Sequence, residues 1–236
     1  MPGGLLRIAH GFGNSRELVR LALERGIEMI EGDVRLGGGR LWVRHDRRLP
    51  LLPVLLGRRP RHLPLTPRWA LPIGPWHARV DTDPLPLEDL LAMTAGKCGL
   101  LLDLKPPRRQ ADVPTSAKAL ARLLGEADRA ETVRLCGDWA LLDEARRLTP
   151  EYALYYSVGD RDRWRALARR FEEGDPLRRV SIHAGLLDES TAGFLRDRDV
   201  EIICWAVYDS AEAARVTALG VKGIISPDLG VLLGDG

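Results

Sequence analysis

Acidic and imidazole side chains are concentrated in one stretch near the start of the chain, IEGDVRLGGGRLWVRHD, residues 30–46. Glu31 and Asp33 lie two residues apart in an apolar run, and His45 follows a Gly-Gly-Gly turn. Since successive side chains of a β-strand point to opposite faces, both carboxylates would share one face of a strand. Burying two carboxylates together is costly unless a cation lies between them. The stretch therefore predicts a cation site with a histidine beside it.

Further candidate residues occur where other apolar runs end. His10 follows the run LLRIA, and Asp103 and Lys105 close the run GLLLDLK. In a barrel of parallel strands the carboxyl ends of all strands meet at one rim, where the active sites of such barrels lie. Glu31, Asp33 and Asp103 offer oxygen ligands only, which suits one divalent cation, Mg²⁺ or Ca²⁺. Such an ion favours phosphate esters as substrates, because their oxygens can complete its coordination.

Two histidines beside a cation have the chemistry of an acid/base pair, because imidazole gains and loses a proton near neutral pH. His10 and His45 are therefore candidates for the general base and the general acid, and the sequence does not assign the two roles. Lys105 would add a positive charge for a phosphoryl oxygen or hold the carboxylates in place. Trp205, at a late strand end, could pack in the core or form one wall of a substrate pocket.

The elements that must position these residues alternate between short apolar strands and helical patterns. Eight such units predict an α/β chain closed into a (β/α)₈ TIM barrel, with 41–45 as an extra hairpin strand. An open doubly wound sheet is the alternative, but no GxGxxG motif follows the first strand. The predicted barrel strands are 5–10, 29–36, 99–105, 132–136, 152–158, 179–183, 200–207 and 222–226, and the predicted helices are 14–25, 87–95, 115–126, 138–148, 160–173, 187–197 and 210–219.

Residues 47–86 interrupt this alternation. The segment contains nine of the sixteen prolines and seven arginines, and it has no acidic residue before Asp81. Long segments outside secondary structure are rare in compact domains unless they serve a function. The segment is also too apolar for a free linker. We expect a Pro/Arg-rich ordered insertion after the second strand, over one end of the barrel, within a single domain covering 1–236.

Composition limits the classes of partner. The 236 residues are 45% hydrophobic and 29% charged, which is ordinary for a globular domain. A net charge of +2 is too small to predict nucleic-acid binding. No apolar run is long enough to span a bilayer, and the N-terminus lacks the pattern of a signal peptide. Three widely spaced cysteines without a CxxC pair fit reduced thiols, so we expect a cytoplasmic protein.

Taken in order, these motifs resemble the glycerophosphodiester phosphodiesterase family. The resemblance implies a TIM barrel that hydrolyses a small-molecule glycerophosphodiester to glycerol 3-phosphate and an alcohol. It implies a divalent cation on Glu31, Asp33 and Asp103, with His10 and His45 as the acid/base pair. It also implies that Lys105 lies beside the metal and that Trp205 forms the pocket wall. The matching segments are IAHG at 8–11, IEGDV at 30–34, RHD at 44–46, LLDLK at 101–105, CWAVYD at 204–209 and GVKGIIS at 220–226.

Three features depart from the family pattern. Gly11 stands where the family has a phosphate-binding arginine, the Glu-Asn-Thr motif before the first helix is missing, and Asp103 replaces the usual glutamate. These features resemble the related sphingomyelinase D-like phospholipases D, which form a cyclic phosphate from phospholipids. That alternative would involve transient contact with a lipid surface and no stable membrane insertion. A non-catalytic barrel that binds phosphate esters is the second alternative.

Overall fold

The computed structural model describes residues 4–48, 54–58, 71–73, 76–80 and 83–234. Its strands are β1 (Leu6–Ala9), β2 (Met29–Gly37), β3 (Arg40–Val43), β4 (Arg47–Arg48), β5 (Val54–Arg58), β6 (Leu71–Ile73), β7 (Trp76–Val80), β8 (Leu85–Pro86), β9 (Gly99–Leu104), β10 (Val133–Gly137), β11 (Ala153–Val158), β12 (Arg179–His183), β13 (Glu201–Trp205) and β14 (Gly223–Ser226). Its helices are α1 (Arg16–Glu24), α2 (Leu87–Thr94), α3 (Val113–Ala127), α4 (Trp139–Leu148), α5 (Arg161–Glu172), α6 (Glu189–Arg196), α7 (Ser210–Ala218) and α8 (Leu229–Leu233).

Eight of the strands form a closed parallel barrel. In spatial order they run β1, β2, β9, β10, β11, β12, β13 and β14, and the pairing of β14 with β1 closes the ring. The helices α1 to α8 alternate with these strands along the chain. The predicted (β/α)₈ TIM barrel is therefore confirmed, and the open doubly wound alternative is wrong. The short helix α8 is an element that the sequence patterns do not predict.

Several helices begin where the sequence supplies a side-chain oxygen in the loop that follows a barrel strand. Each of these oxygens accepts a hydrogen bond from a backbone N–H in the first helical turn, which satisfies a donor that has no partner inside the helix. Because the helices start at the carboxyl ends of the strands, the caps lie at the end of the barrel where the candidate residues were predicted. The capping residues are Ser15, Asp138, Asp160, Asp188 and Asp209.

The alternation of side chains along the strands separates two apolar layers. Leu100, Leu102 and Leu104 of β9 belong to the layer between the barrel and its helices. Leu101 points the opposite way and packs with Ile8, Met29, Cys136, Tyr155, Ile203 and Ile225 in the barrel interior. Glu31 and Asp33 follow Met29 at two-residue intervals, and Asp103 follows Leu101 in the same way. Their carboxylates therefore face into the barrel above this interior layer.

The insertion contains strands that the sequence patterns do not predict. Its described part forms a separate antiparallel sheet in the order β4, β5, β7 and β6, whereas β3 and β8 extend the barrel sheet beside β2. Proline removes a backbone donor and is tolerated at sheet edges, and both prolines of these strands, Pro72 of β6 and Pro86 of β8, lie in edge strands. The rest of the predicted insertion lies outside the described residues, and its position over one end of the barrel stays a prediction.

Two observations bear on the environment of the chain. Cys98, Cys136 and Cys204 are buried and form no disulfide, in agreement with the prediction of reduced thiols. Among the helices of the described ranges, none has the length and apolar character needed to cross a membrane.

Candidate active site

Three carboxylates of two neighbouring strands meet at the carboxyl end of the barrel. The parallel register of β2 and β9 places Asp33 directly beside Asp103, and Glu31 lies on the same face of β2. One carboxylate oxygen from each of the three residues lies within 4.8 Å of the other two. Glu31 is only 3% exposed and Asp33 only 1%. The structure thus brings the three predicted ligands together as a largely buried, oxygen-only donor set.

Glu31 is the member of this set whose charge is least compensated. Burial raises its pKa well above the ordinary value, and the carboxylates of Asp33 and Asp103 raise it further. Its Oε2 accepts a hydrogen bond of 2.6 Å from the backbone N–H of Gly11. Its Oε1 is buried and has no hydrogen-bond partner among the described residues. A buried carboxylate oxygen without a donor would be satisfied by a cation, so the donor set fits a hard divalent ion.

Lys105 lies between the two aspartates. Its Nζ is 2.6 Å from Asp33 Oδ1 and 2.5 Å from Asp103 Oδ2. Burial alone would lower the pKa of Lys105, but the attraction of the carboxylates outweighs burial and the pKa is raised. Burial alone would raise the pKa of Asp33, but Lys105 outweighs burial and holds the pKa well below its usual range. Lys105 therefore stays positively charged, and Asp33 stays ionised, across the neutral pH range.

The two predicted histidines follow different strands and have different acidic neighbours. His10, directly after β1, has its Nε2 3.9 Å from Glu31 Oε2. Burial lowers the pKa of His10 even though about a third of the side chain, 34%, remains accessible. His45, after β3, has its Nδ1 3.1 Å from Asp46 Oδ1, and this hydrogen bond raises its pKa. The charges of Asp33 and Lys105 act on both imidazoles, so both rings lie within electrostatic reach of the same site.

Asn14 holds Asp33 by two hydrogen bonds that the sequence patterns do not predict. Its Nδ2 donates to Asp33 Oδ2 at 2.6 Å, and its Oδ1 accepts from the backbone N–H of Asp33 at 2.9 Å. In the sequence, Asn14 is the first residue of the predicted helix 14–25, whereas the structure begins this helix after a cap provided by Ser15. An asparagine directly before a capping serine is the signal that could have drawn attention to it.

Glycines bring the loop after β1 against β2. A Cβ on Gly13 would lie 2.9 Å from the Glu31 backbone oxygen and from Gly32 Cα, so only glycine permits this approach. Gly11 has a φ of 77°, in the left-handed region that favours glycine. Its N–H is the donor to Glu31. At the position where the resemblance leads us to expect an arginine, the chain therefore has a residue that orients a carboxylate by its backbone.

A further glycine, Gly137, supports the carboxylate of β9. Gly137 ends β10 beside Leu104, and its φ is 113°. A Cβ at this position would lie 2.4 Å from Asp103 Oδ1 and from the backbone oxygen of Leu104. The close packing of backbone against carboxylate thus limits where Asp103 can lie. The sequence patterns do not identify this role, because it depends on the pairing of two strands.

Trp205 lies at the end of β13 and is half-buried. Its ring packs against the apolar layer in the barrel interior, and the rings of Trp205 and His183 form a T-shaped pair with centroids 5.1 Å apart. His183 Nδ1 accepts a hydrogen bond from the backbone N–H of Gly185 at 3.1 Å. His183 is thus held by local contacts. The contact of Trp205 with substrate stays a prediction.

No protein-family model matches the chain, and no curated protein has significant sequence similarity to it. Its fold is shared by solved structures. A provisionally named glycerophosphoryl diester phosphodiesterase from Silicibacter pomeroyi has a TM-score of 0.74 at 18% identity, covering 100% of this chain and 95% of that one. A phosphodiesterase from Oleispira antarctica, in complex with the product sn-glycerol-3-phosphate, has a TM-score of 0.66 at 17% identity, covering 94% and 92%. A glycerophosphodiester phosphodiesterase from Parabacteroides distasonis has a TM-score of 0.68 at 18% identity, covering 94% and 92%. The chain therefore has the barrel fold of these phosphodiesterase structures over nearly its whole length.

Proposed function

We propose that the protein is a metal-dependent phosphodiesterase that hydrolyses a glycerophosphodiester to glycerol 3-phosphate and an alcohol. The observation that carries this proposal is the oxygen-only set of Glu31, Asp33 and Asp103 at the carboxyl end of the barrel. His10 and His45 lie within electrostatic reach of it. The fold shared with an Oleispira antarctica phosphodiesterase that holds sn-glycerol-3-phosphate supports the same substrate class.

Glu31, Asp33 and Asp103 would hold one divalent cation, Mg²⁺ or Ca²⁺. When bound, such an ion supplies positive charge that balances the carboxylates and polarises the phosphodiester oxygens. Lys105 adds a positive charge at the same place, where it can bind a phosphoryl oxygen as negative charge develops. Trp205, at the end of β13, would form an apolar wall against which the substrate is oriented.

The two histidines would move the protons of the reaction. One of them, His10 or His45, removes a proton from the nucleophile, which is water or the adjacent glycerol hydroxyl. The nucleophile oxygen forms a bond to phosphorus, and the bond from phosphorus to the alcohol oxygen breaks. The other histidine donates a proton to that leaving oxygen, so the alcohol departs neutral. If the glycerol hydroxyl attacks, the cyclic phosphate needs a second step with water to give glycerol 3-phosphate.

A phospholipase D-type reaction that ends at the cyclic phosphate is the second candidate. The observation that favours it is Gly11, whose left-handed backbone and hydrogen bond to Glu31 occupy the position of the phosphate-binding arginine. Phosphorus NMR of the products from lysophosphatidylcholine separates the two reactions, because a cyclic phosphodiester and a phosphomonoester have distinct signals. Accumulation of the cyclic product without the monoester would replace simple hydrolysis by this second candidate.

The first experiment is hydrolysis of bis(p-nitrophenyl) phosphate and of glycerophosphocholine with added Mg²⁺ or Ca²⁺. We expect activity that a chelator abolishes and that Glu31→Gln lacks. Glu28→Gln is the matched control, since Glu28 is exposed and precedes β2 at the opposite end of the barrel. If the wild type is inactive with every divalent cation, the hydrolase proposal is wrong and a barrel that only binds phosphate esters is favoured.

The cellular setting also stays a proposal. We infer a cytoplasmic location from three buried cysteines that form no disulfide.

We likewise propose that residues 1–236 act as one catalytic domain with a small-molecule phosphodiester as substrate. Limited proteolysis with retention of activity in one large fragment would test the single-domain proposal.

A further inference from the structure

The insertion sheet exposes apolar side chains on one of its faces. We define the insertion face by Val54, Leu71, Ala78 and Val80. The register pairs Val54 with Val80 and Leu71 with Ala78. Directly paired residues, and residues two apart on one strand, lie on the same face of an antiparallel sheet. Leu71 is 70% exposed and Val80 is 55% exposed. The described residues therefore leave most of both side chains uncovered.

The charge of the same segment has one sign. Residues 47–80 contain seven arginines and neither aspartate nor glutamate, whereas the whole chain has a net charge of only +2. The rest of the chain is therefore net negative, and the positive charge is concentrated in the insertion. Exposed apolar side chains in a segment of net positive charge are the combination that binds the interface of an anionic lipid surface. A purely apolar protein interface would not require such a concentration of positive charge.

The insertion is attached at the end of the barrel where the candidate site opens. β4 begins directly after His45 and Asp46. The chain returns through Asp83, which forms an ion pair of 3.2 Å with Arg16 at the start of α1. The start of α1 follows β1 and so lies at the carboxyl end of the barrel. Both ends of the insertion are therefore anchored beside the candidate active site.

We propose that the insertion face docks onto a lipid surface that contains anionic phospholipids. Docking there brings the candidate active site to amphiphilic phosphodiesters held in that surface, such as lysophospholipids. This inference rests on the proposed function and adds the physical state in which the substrate is presented. The apolar side chains of the insertion face enter the interface, and the positive charge of the segment attracts the anionic lipids.

The test compares vesicle binding by wild type and by two charged variants. We expect the wild type to sediment with phosphatidylcholine vesicles that contain about 30% phosphatidylglycerol, less with pure phosphatidylcholine, and less as salt is raised. The double variant Leu71→Glu/Val80→Glu should bind about tenfold more weakly or worse, since it loses two apolar contacts and adds two negative charges. Leu148→Glu is the matched control, because Leu148 is 42% exposed and ends α4 at the opposite end of the barrel.

Hydrolysis measurements separate this inference from the proposed function. The double variant should hydrolyse dissolved glycerophosphocholine like the wild type, but should lose activity on lysophosphatidylcholine in anionic vesicles. If it also loses activity on the dissolved substrate, Leu71→Ser repeats the vesicle comparison with a milder change.

Equal vesicle binding by wild type and double variant would overturn the docking surface. A wild-type dimer that the double variant converts to a monomer would overturn it too, because the face would then bind a second copy. A wild type that binds vesicles but hydrolyses neither substrate would instead refute the proposed function.

Discussion

Replacing Glu31 by glutamine should remove the stabilisation that a divalent cation gives to the folded protein. Glutamine has nearly the same shape, and its carbonyl oxygen can still accept the N–H of Gly11, which is 2.6 Å from Glu31 Oε2. The substitution removes the negative charge next to the buried Oε1, which has no hydrogen-bond partner among the described residues. It therefore tests a ligand without disturbing the packing around it.

The size of the effect follows from linkage. An ion that binds only the folded state adds about 2.7 kcal/mol of stability at roughly one hundred times its Kd. In a chain of 236 residues, a change of 1 kcal/mol shifts Tm by about 2–4 °C. The Tm of the wild type should thus rise by about 5–11 °C on adding the cation. Glu31→Gln should show a small part of this rise, because one of three anionic ligands is gone.

In the presence of a chelator, the wild type should lose stability relative to Glu31→Gln as pH rises. Burial and the neighbouring carboxylates raise the pKa of Glu31 in the folded protein above its ordinary value. The folded state then binds the proton more tightly than the unfolded state, so wild-type stability falls as pH rises from the ordinary carboxyl pKa towards the raised one. Glu31→Gln has no such proton to lose. It should therefore be more stable than the wild type in chelator above neutral pH.

Thermal unfolding with EDTA, Mg²⁺ or Ca²⁺ measures both effects. Glu28 is exposed at the other end of the barrel, so Glu28→Gln should keep the full rise in Tm. This control would show that removing a carboxylate elsewhere in the protein does not abolish the rise. A rise in the Tm of Glu31→Gln as large as that of the wild type would refute Glu31 as a cation ligand. Absence of a rise in the wild type with every cation would refute the cation site itself.

Three further predictions concern the proton transfers and the packing of the site. His10→Ala and His45→Ala should each lower kcat/KM for glycerophosphocholine by about 10²–10⁴ with little change in Tm, and activity within about threefold of wild type would exclude that histidine. Asp46→Asn replaces the carboxylate that raises the pKa of His45 by a neutral amide, so the imidazole should titrate at lower pH by NMR. If His45 controls part of the pH dependence of activity, that part should move to lower pH as well; an unchanged titration would contradict this. Gly137→Ala would place a Cβ 2.4 Å from Asp103 Oδ1 and should destabilise the fold by about 1–3 kcal/mol. Gly125→Ala, in open space on α3, should stabilise by about 0.5–1 kcal/mol, and equal Tm shifts for the two variants would show that the close approach at Gly137 is unimportant.

Local patterns were enough to predict the barrel and the facing of its carboxylates. The alternation of Glu31 and Asp33 with Ile30 and Val34 depends only on the two-residue period of a strand. Helix starts are similarly local, because a capping oxygen such as that of Asp209 acts on the next three residues. These features are decided within a few residues, so they can be predicted without knowing which strands are neighbours.

Features that depend on distant pairing escaped prediction. The strands of the insertion are short and lie among prolines, and β5 finds its partner β7 only across an intervening segment. Asn14 has the sequence context of a helix cap, but its side chain bonds to Asp33 on the neighbouring strand. Local propensity carries no information about such partners, since they are set by how the chain packs.

By itself, the sequence determined which side chains share a strand face and which runs become strands and helices. It also determined that the candidate ligands offer only oxygen. The tertiary structure alone decided that Asp33 lies beside Asp103 and that Lys105 bridges the two. It also decided that Glu31 keeps a buried oxygen without a partner in the described chain. The physical reason is that β2 and β9 are distant in sequence and become neighbours only when the chain folds, and the charges interact strongly only once folding removes water from between them.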